Sequence, residues 1–311
     1  MKKATLFLVL TLGLMLTLGA CSEIVGTATP AGANADTTIT INTSTVGLNV
    51  TTTEAVTATV TTLVAPTFTS TQLPIPTVLP SPTAVPAHVI VIDPGHGGID
   101  WGAFHTNTDN KIDMKEKEIT LQLGLKTSEI LRADGYKVIL TRTQDELVNN
   151  PARDLNHNGK VDQDDDQLAR ILIANENKAD LFFSIHLNSS ELKNKVGGME
   201  TWYTAERPFG DQNKRFAQLI DQNTVAAMKA IGFETINRGA RPDTEMPGPA
   251  DEHIFVLGPP SRNHAESTMM PGVLTESLFI TNDSEVNILR DPKNINQIAS
   301  AYAKAIEEYF K

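Results

Sequence analysis

One stretch, residues 89–103 with the sequence VIVIDPGHGGIDWGA, constrains this chain more than any other. Val89 to Ile92 form an unbroken β-branched run, as expected of a strand buried on both faces. Asp93, Pro94 and Gly95 stop it with turn chemistry. His96 follows between Gly95, Gly97 and Gly98, so an imidazole ends a core strand on backbone that can approach a ligand closely. Metal binding or catalysis would use such a histidine, and a satisfied histidine in a tight turn would have the same sequence.

From residue 88 onward, strand and helix patterns alternate. Strands are expected at 137–141, 180–186, 198–203, 253–257 and 272–276, and helices at 116–133, 168–178, 209–231 and 294–310. This order predicts an α/β fold: one domain over 88–311, with a mostly parallel twisted sheet flanked by helices. No internal repeat is visible.

The start of the chain reads differently. Lys2 and Lys3 precede an apolar run from Leu6 to Ala20, too short for a comfortable membrane span and laid out like a secretory signal. It ends in Leu18, Gly19, Ala20 and Cys21, which resembles a bacterial lipobox with Cys21 as the lipidated first mature residue. An ordinary signal peptide with an incidental cysteine is the alternative. Cys21 is the single cysteine of the 311 residues, so a mature chain would have no disulfide. Residues 21–87 are rich in Thr, Ala, Val and Pro, with prolines at 66, 74, 76, 80, 82 and 86. They read as a disordered stalk and a candidate for glycosylation, the alternative being a small β-domain that lacks regular turn signals. The net charge of −11 argues against nucleic acid as a partner, because phosphates would be repelled.

Three more residues could do chemistry. His186 ends the apolar strand around Phe182 and Phe183, repeating the arrangement at His96. Ligands of open α/β sheets bind beyond the carboxyl ends of the strands, where two such histidines could meet. Glu116 opens a helix on the side of Ile119, Leu123 and Ile130, the inward face, whereas Glu118 points roughly 160° away. An inward carboxylate needs a partner, and a metal is a good one. Glu276 ends the apolar strand after Val273 and Leu274. Two histidines and a carboxylate around a tetrahedral ion with an open position is the chemistry of hydrolytic zinc, with a free glutamate taking the proton of a water whose pKa falls to about 7.

The part from residue 89 to the C-terminus resembles the zinc-dependent N-acetylmuramoyl-L-alanine amidases, cell-wall hydrolases of the Amidase_3 type. The matching segments, in the family's order, are IDPGHGG (92–98), EKEITL (116–121), YKVILTR (136–142), ADLFFSIHLN (179–188), RGA (238–240) and VLTESLFITN (273–282). The resemblance implies that His96, Glu116 and His186 bind zinc and that Glu276 is the catalytic glutamate. It also implies peptidoglycan as substrate. Together with Cys21 it predicts an exported lipoprotein held on the bacterial membrane facing the wall, and a monomer. Two positions depart from the pattern: Thr120 stands where the family usually has Asn, and Leu278 where Gly is common. The rival readings are a non-catalytic peptidoglycan-binding lipoprotein and a zinc hydrolase acting on another wall bond. The first predicts loss of at least one of the four residues, and all four are present.

Residues 152–166 interrupt the resemblance. Asp154, Asn156, Asn158, the Lys160 carbonyl, Asp162 and Asp165 fall at positions 1, 3, 5, 7, 9 and 12 of a calcium loop, with Gly159 at the sharp turn and Asp164 nearby. The pattern resembles the half-hand loop of dockerins and predicts calcium; the alternative is an acidic surface turn. His88, His105, His157, His253 and His264 have no comparable context and are expected on surface or loops. Trp101 and Phe104 could line a groove for sugar or peptide, or simply pack.

Overall fold

The computed structural model describes residues 87–246, 252–261 and 265–311. The leader, Cys21, the stalk and His264 lie outside them. No helix among the described residues is long and apolar enough to cross a membrane.

The strands are β1 (Val89–Pro94), β2 (Phe104–Thr106), β3 (Ile112–Lys115), β4 (Lys137–Leu140), β5 (Leu181–Asn188), β6 (Met199–Tyr203), β7 (Asn237–Pro242) and β8 (Gly272–Phe279). The helices are α1 (Glu116–Ala133), α2 (Gln163–Glu176), α3 (Gly210–Ala230), α4 (Asp283–Leu289) and α5 (Pro292–Tyr309). Six strands make one sheet in the order β4-β1-β5-β8-β6-β7, and β2 and β3 form a separate hairpin. β4, β1, β5 and β8 run parallel, β6 is antiparallel to β8, and β7 is parallel to β6. The mostly parallel sheet is thus as expected.

Alternation along the strands sorts the core into two layers. Ile90, Ile92, Phe183, Ile185 and Val273 face α1, α3 and α5, whereas Val91, Phe182 and Leu274 face α2 and the segment around Val256 and Leu257. α5 buries Ile295, Ile298, Tyr302, Ala305 and Ile306, the spacing of one helical stripe. It starts with Asp291 accepting from the Lys293 N–H and Pro292 in the first turn.

Strand order also fixes where a ligand can sit. The chain leaves β1 for β4 on one side and later returns to β5 on the other. This reversal opens a crevice beyond the carboxyl ends of β1 and β5, the place where open α/β sheets take ligands.

Several elements differ from expectation. Residues 253–257 form no strand; the edge beside β6 is occupied by β7, and the segment turns instead, with the Leu257 and Gly258 N–H groups both donating to the Ile254 carbonyl. α2 starts at Gln163 rather than 168, because Asp162 and Asp165 form a reciprocal capping box. The β2–β3 hairpin, β7 and α4 are short and polar, and carry little hydrophobic periodicity.

Candidate metal centre

His96 lies two residues beyond β1 with φ of 62°, a left-handed conformation that costs an L-residue about 1–2 kcal/mol. His186 lies near the end of the neighbouring β5, directly opposite Glu276 on β8. Glu116 is the first residue of α1, delivered by the hairpin: its N–H donates to the Ala103 carbonyl at 2.9 Å. It is 3% exposed, whereas Glu118 is exposed beside Lys115, so the inward and outward faces fall as the helical period predicts. Two glycines make room. A Cβ on Gly95 would stand 2.3 Å from the His186 ring, and one on Gly102 would stand 2.5 Å from both Glu116 Oε2 and the His96 ring.

The structure brings the three side chains to one point. His96 Nε2 and His186 Nδ1 are each 3.0 Å from Glu116 Oε1, and 3.1 Å from one another. The carboxylate is aimed by two backbone donors, the Leu187 N–H at 2.9 Å to Oε1 and the Ala103 N–H at 2.8 Å to Oε2. On the far side of its ring, His96 Nδ1 lies 2.8 Å from Asp100 Oδ2. A carboxylate only accepts, so this contact places a proton on Nδ1 and leaves Nε2 as the ligating nitrogen. Two imidazole nitrogens and a carboxylate oxygen in a triangle of this size match a zinc donor set with a fourth position open.

The electrostatics agree with a cation at that point. Burial works to lower the His96 pKa, yet hydrogen bonds to Asp100 and Glu116 hold it up at about 9. Burial and the neighbouring His96 charge push His186 down, against the pull of Glu116. Burial would raise Glu116, but its hydrogen bonds to His186 and His96 hold it well below the usual carboxylate range. The site therefore favours positive charge beside an ionised carboxylate, which a divalent ion satisfies without protons.

Glu276 completes the floor. Its Oε2 is buried without a hydrogen-bond partner among the described residues. Burial, then the Glu116 carboxylate, then Glu200 push its carboxyl well above the usual range, against His96. Glu200 sits directly across the antiparallel pair from Glu276. It is buried and held by Asn188 Nδ2 at 2.6 Å, Arg238 Nε at 3.2 Å and Arg241 Nη1 at 3.2 Å.

Sequence reasoning missed Asp100, Glu200, Arg142 and Arg170. Asp100 had a signal, four residues after His96. Arg170 had one too, at i+4 from Asp166 on a helix. Glu200 had none, because nothing in its spacing shows that β6 reverses beside β8.

The residues of the 154–165 loop are linked to one another by hydrogen bonds. The described residues contain two groups of three convergent ligand atoms, and neither includes a residue of the 154–165 loop. Asp154 accepts from the Asn158 and Gly159 N–H groups, and Asn158 Oδ1 from the Lys160 N–H. Asp165 is fully buried and takes the N–H groups of Leu155, Asn156 and Asp162. The loop is a hydrogen-bonded turn, and Asp162 and Asp165 also cap α2.

The second convergent group is Glu206, Asp243 and His253. Its buried Asp243 is already satisfied by the Thr204 hydroxyl at 2.6 Å, the Ile254 N–H at 3.2 Å and His253 Nδ1 at 3.1 Å, which reads as a structural pair. His105, expected at the surface, is buried, with Asp113 at 2.5 Å on one nitrogen and Asp283 at 2.9 Å on the other. Phe104 lines a groove of about 830 Å³ that continues past Ser189 and Asn194, whereas Trp101 is exposed, with the Lys115 ammonium 4.3 Å from its ring centre.

The geometry has counterparts in known proteins. The family model described as N-acetylmuramoyl-L-alanine amidase matches residues 90–308. The chain is 27% identical over 223 residues to the germination-specific N-acetylmuramoyl-L-alanine amidase of Bacillus subtilis (strain 168), covering 71% of this chain and 79% of that protein. It is 27% identical over 245 residues to the N-acetylmuramoyl-L-alanine amidase AmiA of Escherichia coli (strain K12), covering 71% and 76%. Among solved structures, the N-acetylmuramoyl-L-alanine amidase from Clostridium difficile 630 superposes with a TM-score of 0.53 at 27% identity, over 72% of this chain and 97% of the other. The CwlD amidase from Clostridioides difficile, solved in complex with the GerS lipoprotein, superposes with a TM-score of 0.54 at 29% identity, over 72% and 98%.

Proposed function

The chain belongs to the N-acetylmuramoyl-L-alanine amidase family, and on that premise we propose that it is a peptidoglycan hydrolase cleaving the amide between N-acetylmuramic acid and L-alanine with a zinc-activated water. One observation carries the reading: His96, Glu116 and His186 present their ligand atoms within 3.1 Å of one another, beside the unpartnered Oε2 of Glu276.

His96 Nε2, His186 Nδ1 and Glu116 Oε1 would hold the ion, with Asp100 fixing the His96 ring and the Ala103 and Leu187 N–H groups fixing the carboxylate. Zinc, when bound, polarises the scissile carbonyl and lowers the pKa of water to about 7. Glu276 Oε2 takes the proton of the attacking water and returns it to the departing amine of L-alanine. Burial, then the Glu116 and Glu200 carboxylates, raise the Glu276 carboxyl above its usual range, as suits a group that both takes and returns a proton. The groove past Phe104, Ser189 and Asn194 gives an extended polymer a place to lie beside the cleft.

The exported location follows from the leader at 1–20, and the anchor from Cys21, with residues 21–87 as a stalk that lets the domain reach wall strands from the membrane. Zinc is the catalytic cofactor in this reading, and the loop at 154–165 is proposed to take calcium in a structural role.

Glu276→Gln tests the chemistry. The variant should retain the fold and its zinc content but lose roughly 100-fold or more in turnover, since a positioned acid–base group contributes 10²–10⁴. Turnover within a few-fold of the parent would remove Glu276 from the reaction.

A further inference from the structure

A ligand residue in a strained conformation needs something to hold it there. His96 has φ of 62°, and its carbonyl and the two before it are each held by buried arginines. Arg142 donates Nε to Pro94 O and Nη2 to Gly95 O, both at 2.9 Å. Arg170 donates Nη1 to Pro94 O at 3.0 Å and Nη2 to His96 O at 2.9 Å. Thr120, at the position that departs from the family pattern, adds its hydroxyl to Gly95 O at 2.9 Å.

Arg170 is itself fixed. Its remaining donors go to two carboxylates: Nη1 to Asp93 Oδ1 at 2.7 Å, and Nε and Nη2 to Asp166 Oδ2 at 3.2 and 2.8 Å. All five N–H groups are thereby used. Arg170, Asp93 and Asp166 are 3%, 1% and 5% exposed, so the guanidinium has no solvent to relax into. Asp166 lies in the first turn of α2 and also receives the Asn149 N–H at 2.9 Å. The residue before it, Asp165, gathers three N–H groups of the inserted loop. A path of hydrogen bonds, joined by the Asp165–Asp166 peptide link, therefore runs from the loop through the cap of α2 and Arg170 to the backbone of His96.

We infer that Arg170 is a positioning residue of the metal centre, and that the inserted loop sets its aim through Asp165 and Asp166. Arg170 touches neither the ligand atoms nor the cleft floor at Glu276. It acts by holding His96 in the left-handed turn that turns the imidazole toward Glu116 and His186. The inference rests on the zinc reading of those three residues.

The test is zinc affinity, measured by competition against a chromophoric chelator on full-length wild type and on Arg170→Met, Arg170→Lys, Asp166→Asn and Asp165→Ala. Each is measured at a temperature where circular dichroism shows it folded. The visible spectrum of the cobalt(II)-loaded protein reports ligand geometry alongside. Arg170→Met should bind zinc about 10–100-fold more weakly, the range for lost support around metal ligands, with an altered cobalt spectrum. Arg170→Lys should recover part of the affinity, because an ammonium restores the charge between Asp93 and Asp166 but not the fork. Asp165→Ala, remote from every ligand, should weaken zinc in the same direction by a smaller factor. If Arg170→Met does not fold, Arg170→Lys and Asp166→Asn carry the same comparison. Variants that melt earlier but bind zinc as the parent does, with an unchanged cobalt spectrum, would reduce the network to packing and overturn the inference. Loss at Arg170 with no loss at Asp165 would overturn the role of the loop. A wild type that takes up no zinc would instead sink the zinc reading itself.

Discussion

Asp221 shows how a single residue records the cost of burial. It projects from α3 under β6, 2% exposed, with Oδ1 accepting from the Thr201 hydroxyl at 2.7 Å and Oδ2 without a partner among the described residues. Burial pushes its carboxyl up to about 7, against the Thr201 bond, and the Glu200 charge adds to the rise. In the unfolded chain the same group releases its proton near 3.9. The folded state therefore binds the extra proton between those values, and stability falls as pH rises from about 4 to about 7. Asp221→Asn mimics the protonated form, so it should flatten that slope and melt above wild type at pH 8. Denaturation at pH 5 and pH 8 checks this; equal slopes in both proteins would mean Asp221 is not the group responsible. Residues of this kind are invisible in sequence, since one aspartate on a long helix carries no mark of where β6 passes. His96, Glu116, His186 and Glu276 are legible because each is a polar residue in or beside an apolar element, where it needs a reason.

At the scale of elements, legibility follows length and period. β1, β5 and β8 announce themselves by apolar runs, and α1, α3 and α5 by helical stripes. In the inserted loop, oxygens at calcium-loop spacing also serve as capping acceptors, and Asp162 and Asp165 cap α2. β8 carries a further irregularity. Its register against β5 shifts between His186 and Asn188, and Leu278, where the family commonly has Gly, takes φ of 73°. Two effects oppose one another there. Glycine would relieve about 1–2 kcal/mol of left-handed strain. It would also remove a side chain that is 1% exposed and packed in the main core, and large-to-small core changes cost about 2–5 kcal/mol. Burial is the larger, so Leu278→Gly should destabilise by about 1–3 kcal/mol net. A variant that melts above wild type would show that strain dominates at this bulge.

At the scale of the molecule, the proposed function joins a hydrolase domain to a tether. Bacterial expression should place the protein in the detergent phase on extraction, and Cys21→Ser should move it out. A soluble mature form beginning several residues after Cys21 would leave export without the anchor. The bond that is cut and the metal that cutting requires are the centre of the proposed function. Purified peptidoglycan digested with the protein, followed by mass spectrometry of the products, tests both at once. Digestion should yield peptides with a free N-terminal L-alanine and glycan strands with a free lactyl carboxyl on N-acetylmuramic acid. Both products should vanish after exhaustive dialysis against a strong zinc chelator and return with zinc. Cuts between sugars or within the peptide, or the same products from metal-free protein, would contradict this.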